Sequence, residues 1–252
     1  MILGVIPARY ASTRFPGKPL VDIGGKSMIR RVYEQACLAR HLDRVVVATD
    51  DDRIWSHVRA FGGEAVMTAE THLSGTERAA EVAAGFPDYP FVLNIQGDEP
   101  FLDPAQLDLL CDTLVTGTAP VATLIGPLED SARIQSPHVV KVVCNARGEA
   151  LYFSRSPIPF VRDLTPETWG RSGLYFRHIG LYGFRREALL TVNQLTPSPL
   201  EQAESLEQLR WLAAGWCIQT AISHHHSPAV DTPEDLRQLP GYEPGTPLNF
   251  YL

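Results

Sequence analysis

The chain has 252 residues, enough to bury a substantial core within one domain or within a domain that carries a smaller lobe. Its formal net charge of −7 argues against a general surface for nucleic acid or anionic membranes, which are themselves negative. No apolar run approaches the ~20 residues of a membrane span, and the N-terminus lacks signal-peptide features, so we expect a cytoplasmic protein. The four cysteines are widely spaced, as free thiols or small buried side chains would be, and form no disulfide or zinc pattern.

The first half of the sequence alternates between predicted strands and helices. Apolar runs predict the strands, and apolar residues three and four positions apart predict the helices. In chain order the predicted elements are the strand LGVIP, a helix over 28–40, the strand RVVVATD, the helix DRIWSHVRAFG, the strand EAVMT, a helix over 76–84, the strand FVLNIQGDEP and the helix PAQLDLLCDTL. This alternation predicts an α/β fold with helices on both faces of a mostly parallel sheet.

The second half is less regular. Its predicted elements are strands in VVKVVCN and ALYFSRSPIPF around a turn at 146–148, an irregular segment over 161–176, a strand running into a helix in FRHIGLYGFRREAL, one helix from 198 to about 214, the strand IQTAI and a short helix capped by Thr232. The change near residue 130 predicts a lobe inserted over roughly 130–195 into a single α/β domain of 1–240. A tail rich in Pro and Gly follows over 241–252.

Positive charge is concentrated in the loop after the first strand, IPARYASTRFPGKPL. Open α/β sheets bind ligands at the carboxyl ends of their strands, where this loop lies. Arg9 and Arg14 can fork onto phosphate oxygens, Lys18 adds a point charge, and the prolines restrict the backbone. The loop therefore predicts a small-anion site, although a solvated loop whose arginines pair with surface acids fits the composition too. Pro19 after Lys18 excludes a P-loop.

Acidic residues follow two predicted apolar strands. Asp98 and Glu99 come directly after FVLNI, and Asp231 precedes the last short helix. Such carboxylates are either turn and helix-cap residues or ligands of Mg²⁺, which prefers one or two carboxylates with phosphates and waters. The run His224–His226 does not predict a metal site, because consecutive residues of a strand point to opposite faces. We expect those histidines at an exposed strand end.

Taken together, several motifs extend in a fixed order from residue 6 to residue 236. They are IPARYASTRFPGKPL, VATDD, HLSGTER, NIQGDEP, ALYFSRSPIP, RHIGLYGF, SPLEQAESLEQLR and VDTPEDL. The set closely resembles the 3-deoxy-manno-octulosonate cytidylyltransferases, the CMP-Kdo synthetases of Gram-negative bacteria. The related sialic-acid cytidylyltransferases carry a G-S-K element in the first loop that this chain lacks.

The resemblance implies a nucleotide-diphospho-sugar transferase fold, which is Rossmann-like, with a mixed, mostly parallel sheet and a smaller lobe for dimerisation and sugar binding. It also implies a homodimer, Mg²⁺ as cofactor, and the substrates CTP and 3-deoxy-D-manno-octulosonate (Kdo). The products would be CMP-Kdo and pyrophosphate, which activates Kdo for lipopolysaccharide synthesis. The alternative is a cytidylyltransferase for a related acidic sugar, 8-amino-Kdo or a sialic acid.

The resemblance also implies roles for individual residues. For the nucleotide it implies phosphate contacts from Arg9, Ser12, Arg14 and Lys18, and contacts near the cytosine and ribose from Ser74, Gly75 and Arg78. For Mg²⁺ it implies Asp98 and Asp231, and for the sugar acid it implies Gln96, Arg155, His178, Tyr182, Glu207 and Gln208. Arg14 and Lys18 would stabilise the charge on departing pyrophosphate, while the metal held by the two aspartates would lower the pKa of the anomeric hydroxyl.

Overall fold

A computed structural model describes residues 1–11, 15–225, 227, 230 and 232–237. These residues form two compact units: Met1–Asp108 with the described residues after His225, and Leu109–His225. The second unit begins before and ends after the lobe predicted over roughly 130–195. None of the helices in the described part of the chain is long and apolar enough to cross a membrane.

Strands and helices alternate in the first unit, as predicted. In chain order they are β1 (Ile2–Ala8), α1 (Met28–Ala36), β2 (Arg44–Thr49), α2 (Asp52–Ala60), β3 (Ala65–Met67), α3 (Gly75–Ala84), β4 (Phe91–Asn94) and α4 (Pro104–Thr116), which continues into the second unit. Each element predicted for this half is confirmed, but α1 and β4 end earlier than the sequence pattern indicated.

The second unit contains elements that the sequence pattern did not reveal. Its strands and helices are β5 (Val121–Pro127), α5 (Ser131–Gln135), β6 (Lys141–Cys144), β7 (Ala150–Ser154), β8 (Phe176–Arg185), α6 (Arg186–Thr191), α7 (Pro199–Glu204), α8 (Gln208–Ala213) and β9 (Ile218–Ile222), and α9 (Pro233–Arg237) follows in the first unit. Strand β5 and helix α5 were missed. The single helix predicted from 198 to about 214 is wrong, because Ser205 adopts a left-handed conformation (φ 52°) that separates α7 from α8.

The sheet of the first unit is entirely parallel, in the order β3-β2-β1-β4. Strand β1 is central there, and its Val5 pairs with Val46 on one side and Asn94 on the other. These strands are nearly continuous apolar runs because helices cover both faces of a parallel sheet. The carboxyl ends of β1 and β4 therefore lie side by side, and so do the loops that leave them.

The second unit contains both parallel and antiparallel pairs. Strand β5 pairs antiparallel with β8 and parallel with β9, while β6 pairs antiparallel with β7 and β8. The register between β5 and β8 shifts after Thr123, which faces Tyr182, whereas Leu124 faces Ile179. This irregularity places His178 and Tyr182 close together on β8. The predicted α/β class with a mixed sheet is confirmed.

Candidate active site

A pocket of about 450 Å³ opens at the carboxyl ends of β1 and β4. The residues that line it are Pro7, Ala8, Arg9, Ala11, Lys18, Pro19, Gly75, Arg78, Asn94, Gln96, Gly97 and Asp98. The structure thus brings together most of the described residues predicted to contact the nucleotide, together with Gln96 and Asp98. Ser12, Arg14 and Asp231 lie outside the described residues. Ser74 is adjacent to the pocket as the N-cap of α3, where its hydroxyl accepts a hydrogen bond from the Glu77 amide.

The cation and the carboxylate predicted from the two strand ends are in direct contact. Lys18 Nζ donates to Asp98 Oδ2 at 2.9 Å, and the two side chains are 15% and 29% exposed. Lys18 begins a short 3₁₀ turn after Gly17, whose φ of 72° favours glycine. The Gly17 amide donates to the Tyr10 carbonyl oxygen and closes the base of the loop. The backbone that carries Lys18 is therefore held by hydrogen bonds, and the pair of side chains faces the pocket where a ligand can reach it.

A second glycine controls the approach of the two strand ends. A Cβ atom at Gly97 would lie 2.8 Å from the carbonyl oxygen of Pro7, a backbone atom that cannot easily move aside. Only glycine allows the chain after β4 to pass this close to β1. The sequence pattern gave no sign of this role, because the contact joins residues far apart in the chain.

Arg78 lies on α3 and is 1% exposed. Its guanidinium donates to Asp50 Oδ2 at 2.7 Å and to the Thr68 hydroxyl. Asp50, at the end of the strand motif VATDD, thus fixes the orientation of a pocket residue. A guanidinium held on one side by protein groups can present its remaining N–H groups to a ligand in a defined direction.

Asn94 is a pocket residue that sequence reasoning missed. Its amide nitrogen donates to the Thr76 hydroxyl at 3.3 Å, and within the described structure its buried Oδ1 accepts no hydrogen bond. An unsatisfied buried acceptor is costly, so this atom is suited to a donor group on a ligand. The only available signal was the first polar residue at the end of the apolar run FVLN.

One described carboxylate in this pocket suits a divalent metal ion. Asp98 is partly exposed, and Mg²⁺ is commonly held by one or two carboxylates with substrate phosphates completing its oxygen ligands. Among the described residues, no three His, Cys, Asp or Glu side chains are grouped as a metal site. An ion at Asp98 would therefore take oxygen ligands other than a cluster of described carboxylates, such as the phosphates of the nucleotide and water.

A separate cluster in the second unit contains four of the predicted sugar-binding residues. The ring centroids of His178 and Tyr182 on β8 are 5.2 Å apart, and Tyr182 packs edge-on against Trp211 of α8 at 4.9 Å. Burial raises the pKa of Tyr182 well above its ordinary value, and the Glu207 carboxylate raises it further. Gln208 begins α8 and is buried.

His178 is held as a neutral imidazole in one tautomer. Thr123 Oγ1 lies 3.1 Å from His178 Nε2, and its single hydrogen is shared between two groups that can only accept, the carbonyl oxygens of Leu181 at 2.8 Å and Ile179 at 3.2 Å. Nε2 must therefore carry the hydrogen and donate it, which leaves Nδ1 as an acceptor. Burial, with a smaller contribution from Arg177, lowers the pKa of His178 from 6.5 to about 3.

Several buried polar atoms of this cluster have no hydrogen-bond partner among the described residues. They are the Tyr182 hydroxyl, Gln208 Nε2 and Trp211 Nε1. Each costs about 1–3 kcal/mol while it is unsatisfied. A ligand with several hydroxyl groups can supply the missing partners, so the cluster is chemically suited to a sugar.

The remaining predicted residues are placed as follows. The Arg155 guanidinium donates to the carbonyl oxygens of Glu204 and Pro137, so part of its hydrogen-bonding capacity is used within the protein. Its contact with a sugar carboxylate stays a prediction. Strand β9 ends at Ile222, so the exposed His224 and His225 follow the strand rather than continue it. His226 lies outside the described residues.

A parallel sheet with cations and a carboxylate at the carboxyl ends of its strands defines a nucleotide-binding α/β protein. The family model described as Cytidylyltransferase matches residues 3–221. A solved cytidylyltransferase from Leptospira borgpetersenii has the same fold, with a TM-score of 0.58 and 18% identity over 93% of this chain and 82% of that one.

Proteins with higher sequence identity to this chain identify the family within the cytidylyltransferases. The chain is 48% identical to the 3-deoxy-manno-octulosonate cytidylyltransferase of Cytophaga hutchinsonii, covering 94% of this chain and 96% of that one. It is 50% identical to the enzyme of that name from Myxococcus xanthus, covering 94% of each. The structure of CMP:2-keto-3-deoxy-manno-octonic acid synthetase complexed with CTP superimposes with a TM-score of 0.88 at 45% identity, covering 94% and 95% of the two chains. The chain belongs to the 3-deoxy-manno-octulosonate cytidylyltransferase family.

Proposed function

We propose that the protein transfers the CMP group of CTP to the anomeric hydroxyl of Kdo and releases pyrophosphate. The observation that carries this proposal is the pocket in which Arg9, Lys18 and Asp98 meet, in a chain that is 45% identical to a synthetase solved with CTP. The names of the curated relatives support Kdo over 8-amino-Kdo or a sialic acid as the acceptor.

The reaction forms one bond and breaks one bond at the α-phosphorus of CTP. The anomeric oxygen attacks this phosphorus and loses its proton to water, while the bond from the α-phosphorus to the bridging oxygen breaks and pyrophosphate leaves with the electron pair. Arg9 and Lys18 bind the phosphate oxygens, and Arg14 adds a third cation. Because negative charge grows on the leaving group, Lys18 and Arg14 stabilise the transition state more than the ground state.

Asp98 and Asp231 are the proposed ligands of Mg²⁺. The partly exposed Asp98 carboxylate in the nucleotide pocket supports this assignment for the described part of the site. When bound, the ion supplies charge neutralisation at the phosphates and lowers the pKa of the attacking hydroxyl. Lys18 then exchanges its contact with Asp98 for the phosphates.

The acceptor sugar is proposed to bind through His178, Tyr182, Glu207 and Gln208, with Gln96 and Arg155 as further contacts. The neutral His178 offers Nδ1 as an acceptor for a sugar hydroxyl, and Gln208 Nε2 offers a donor. Because His178 carries no charge, Arg155 is the residue that suits the sugar carboxylate. Ser74, Gly75 and Arg78 are proposed to contact the cytosine and ribose.

We also propose a cytoplasmic homodimer that supplies lipopolysaccharide synthesis. All four cysteines are free thiols, as is usual in a reducing compartment. Large apolar side chains are exposed in the second unit, including Phe160 (74%) and Leu174 (53%), and a partner subunit would cover such groups. Light scattering during gel filtration tests the dimer, and a monomeric mass would refute it.

Pyrophosphate release tests the reaction and its specificity together. CTP, ATP, GTP and UTP are each combined with Kdo, 8-amino-Kdo and N-acetylneuraminate. We expect release only with CTP, and fastest with Kdo. If release is faster with another sugar, that sugar rather than Kdo is the acceptor. If no pair of substrates releases pyrophosphate, the proposal is refuted. Removal of divalent ions by a chelator, followed by Mg²⁺, tests the cofactor: activity that persists without the ion excludes it.

A further inference from the structure

The junction between α7 and α8 is unusual in its backbone. Ser205 has φ 52°, and among the described residues no other residue except glycine has a positive φ. Residues other than glycine disfavour a positive φ, so contacts with neighbouring residues must stabilise the backbone of Ser205 in this conformation. The contacts around Ser205 therefore indicate what fixes the start of α8.

Glu204 supplies most of those contacts. Its carboxylate accepts hydrogen bonds from the Ser154 hydroxyl at 2.5 Å and from the Arg155 amide at 2.8 Å. Its carbonyl oxygen accepts from Arg155 Nε at 2.7 Å, and the Ser205 carbonyl oxygen accepts from Arg155 Nη2 at 3.5 Å. The end of β7 is thus connected to the end of α7 by both the backbone amide and the guanidinium of Arg155.

A buried lysine also contacts the end of β7 at Arg155. Lys141 is fully buried, and its ammonium donates to the carbonyl oxygens of Arg155 at 2.6 Å, Val139 at 2.6 Å and Ser136 at 2.8 Å. All three N–H groups of Lys141 are therefore used, and the backbone at Arg155 is fixed from a second direction.

Helix α8 begins three residues after the left-handed turn. On its buried side are Gln208 and Trp211, and Trp211 contacts Tyr182 of the predicted sugar-binding cluster. A helix turns by about 100° per residue, so a one-residue change at the junction would remove Gln208 from this cluster. The side chains of Gln208 and Tyr182 are 4% and 7% exposed and carry polar atoms without a partner in the described structure. Such atoms are useful only if their positions are maintained for a ligand.

We propose that Glu204 is a positioning residue for the acceptor sugar: through Ser154 and Arg155 it fixes the α7–α8 junction and so places Gln208 in the sugar-binding cluster. This inference rests on the proposed function for the identity of the sugar. It assigns Glu204 no contact with either substrate. Loss of its carboxylate should therefore affect sugar binding and leave nucleotide binding unchanged.

Glu204→Gln is the direct test. The amide that replaces the carboxylate is neutral, so both hydrogen bonds with β7 lose their charge assistance, and the NH₂ can meet the Ser154 hydroxyl only if that hydroxyl reverses and accepts. Glu149→Gln is the matched control, because Glu149 is also a hydrogen-bonded carboxylate and directly precedes the opposite end of the same strand. We expect Glu204→Gln to raise KM for Kdo by about tenfold or more while KM for CTP stays within about twofold, and the control to change neither. Unchanged KM for Kdo, or an equal rise in both KM values, would overturn the inference.

Hydrogen exchange gives a measurement that does not depend on catalysis. Amides over 206–213 are expected to exchange about tenfold faster in Glu204→Gln and at the wild-type rate in the control. If these amides exchange at the wild-type rate in Glu204→Gln, the inference is overturned, whether or not the protein is active with Kdo. Inactivity of the wild-type protein with Kdo would count against the proposed function alone. If Glu204→Gln fails to fold, Ser154→Ala removes one hydrogen bond from the same carboxylate and is expected to raise KM for Kdo about threefold. An unchanged KM for Kdo in Ser154→Ala would equally refute the role of Glu204.

Discussion

The burial of His178 should make the protein less stable as the pH falls. Its pKa is lowered to about 3 in the folded chain, whereas the imidazole of an unfolded chain titrates near 6.5. Between these values the unfolded chain binds a proton that the folded chain does not, so the free energy of unfolding decreases as the pH decreases. His178→Gln removes this contribution and should flatten the pH dependence.

The size of the effect follows from the two pKa values. From pH 7 to pH 5 the contribution of His178 to the free energy of unfolding falls by about 2 kcal/mol, at 1.36 kcal/mol per pKa unit. This is an upper value, because His178 is only partly shielded by the residues around it. Urea unfolding at both pH values measures the difference for wild type and for His178→Gln.

The two proteins are compared by how much stability each loses between pH 7 and pH 5. We expect the loss in His178→Gln to be smaller than in the wild type by up to about 2 kcal/mol. His138→Gln, which replaces an exposed histidine of the same unit, serves as the control and should match the wild type. Equal losses in wild type and His178→Gln would show that the imidazole is not kept neutral by burial.

Three further predictions concern the nucleotide pocket and the backbone contacts. If Lys18 binds phosphate as proposed, Lys18→Met should weaken CTP binding roughly 10- to 100-fold in calorimetry, because a charged donor is lost; unchanged affinity would show that Lys18 does not bind the nucleotide. Gly97→Ala should lower the free energy of unfolding by about 1–3 kcal/mol, because its Cβ would lie 2.8 Å from a carbonyl oxygen of β1. Gly170→Ala should cost more, because its Cβ would lie 1.6 Å from the Glu129 carbonyl oxygen. Gly85→Ala, with no atom nearer than 3.5 Å, is the control in urea unfolding, and equal stability of all three variants would contradict both predictions.

The sequence predicted the parts of the site that depend on local pattern and sheet geometry. Apolar runs located β1 and β4, and parallel pairing places the residues after both strands at one edge. Contact between Lys18 and Asp98 follows from these two facts. Strand β5 was missed although it has seven residues, because it ends in Gly126 and Pro127, which disfavour a strand.

Tertiary contacts determined what the sequence pattern could not. The residues from Ser198 to Ala214 have the capping and the apolar spacing of one helix, but distant hydrogen bonds from Arg155 and Ser154 to Glu204 accompany the left-handed Ser205 at which the helix ends early. The contact of Asp50 with Arg78 was not predicted, because the two residues are distant in the chain. In both cases a charged residue contacts a segment that is distant in the chain, so the residues next to it in sequence do not reveal the contact.

The contact between Lys18 and Asp98 has a consequence for which form of nucleotide the pocket accepts. A bare triphosphate that attracts Lys18 leaves the Asp98 carboxylate facing additional negative charge, and this repulsion opposes entry. If Asp98 holds Mg²⁺ as proposed, a triphosphate that arrives with its own divalent cation would satisfy both partners at once, because the cation would take the place of the ammonium beside the carboxylate. On that proposal, the resting ion pair would discriminate against the uncomplexed nucleotide before any chemistry begins.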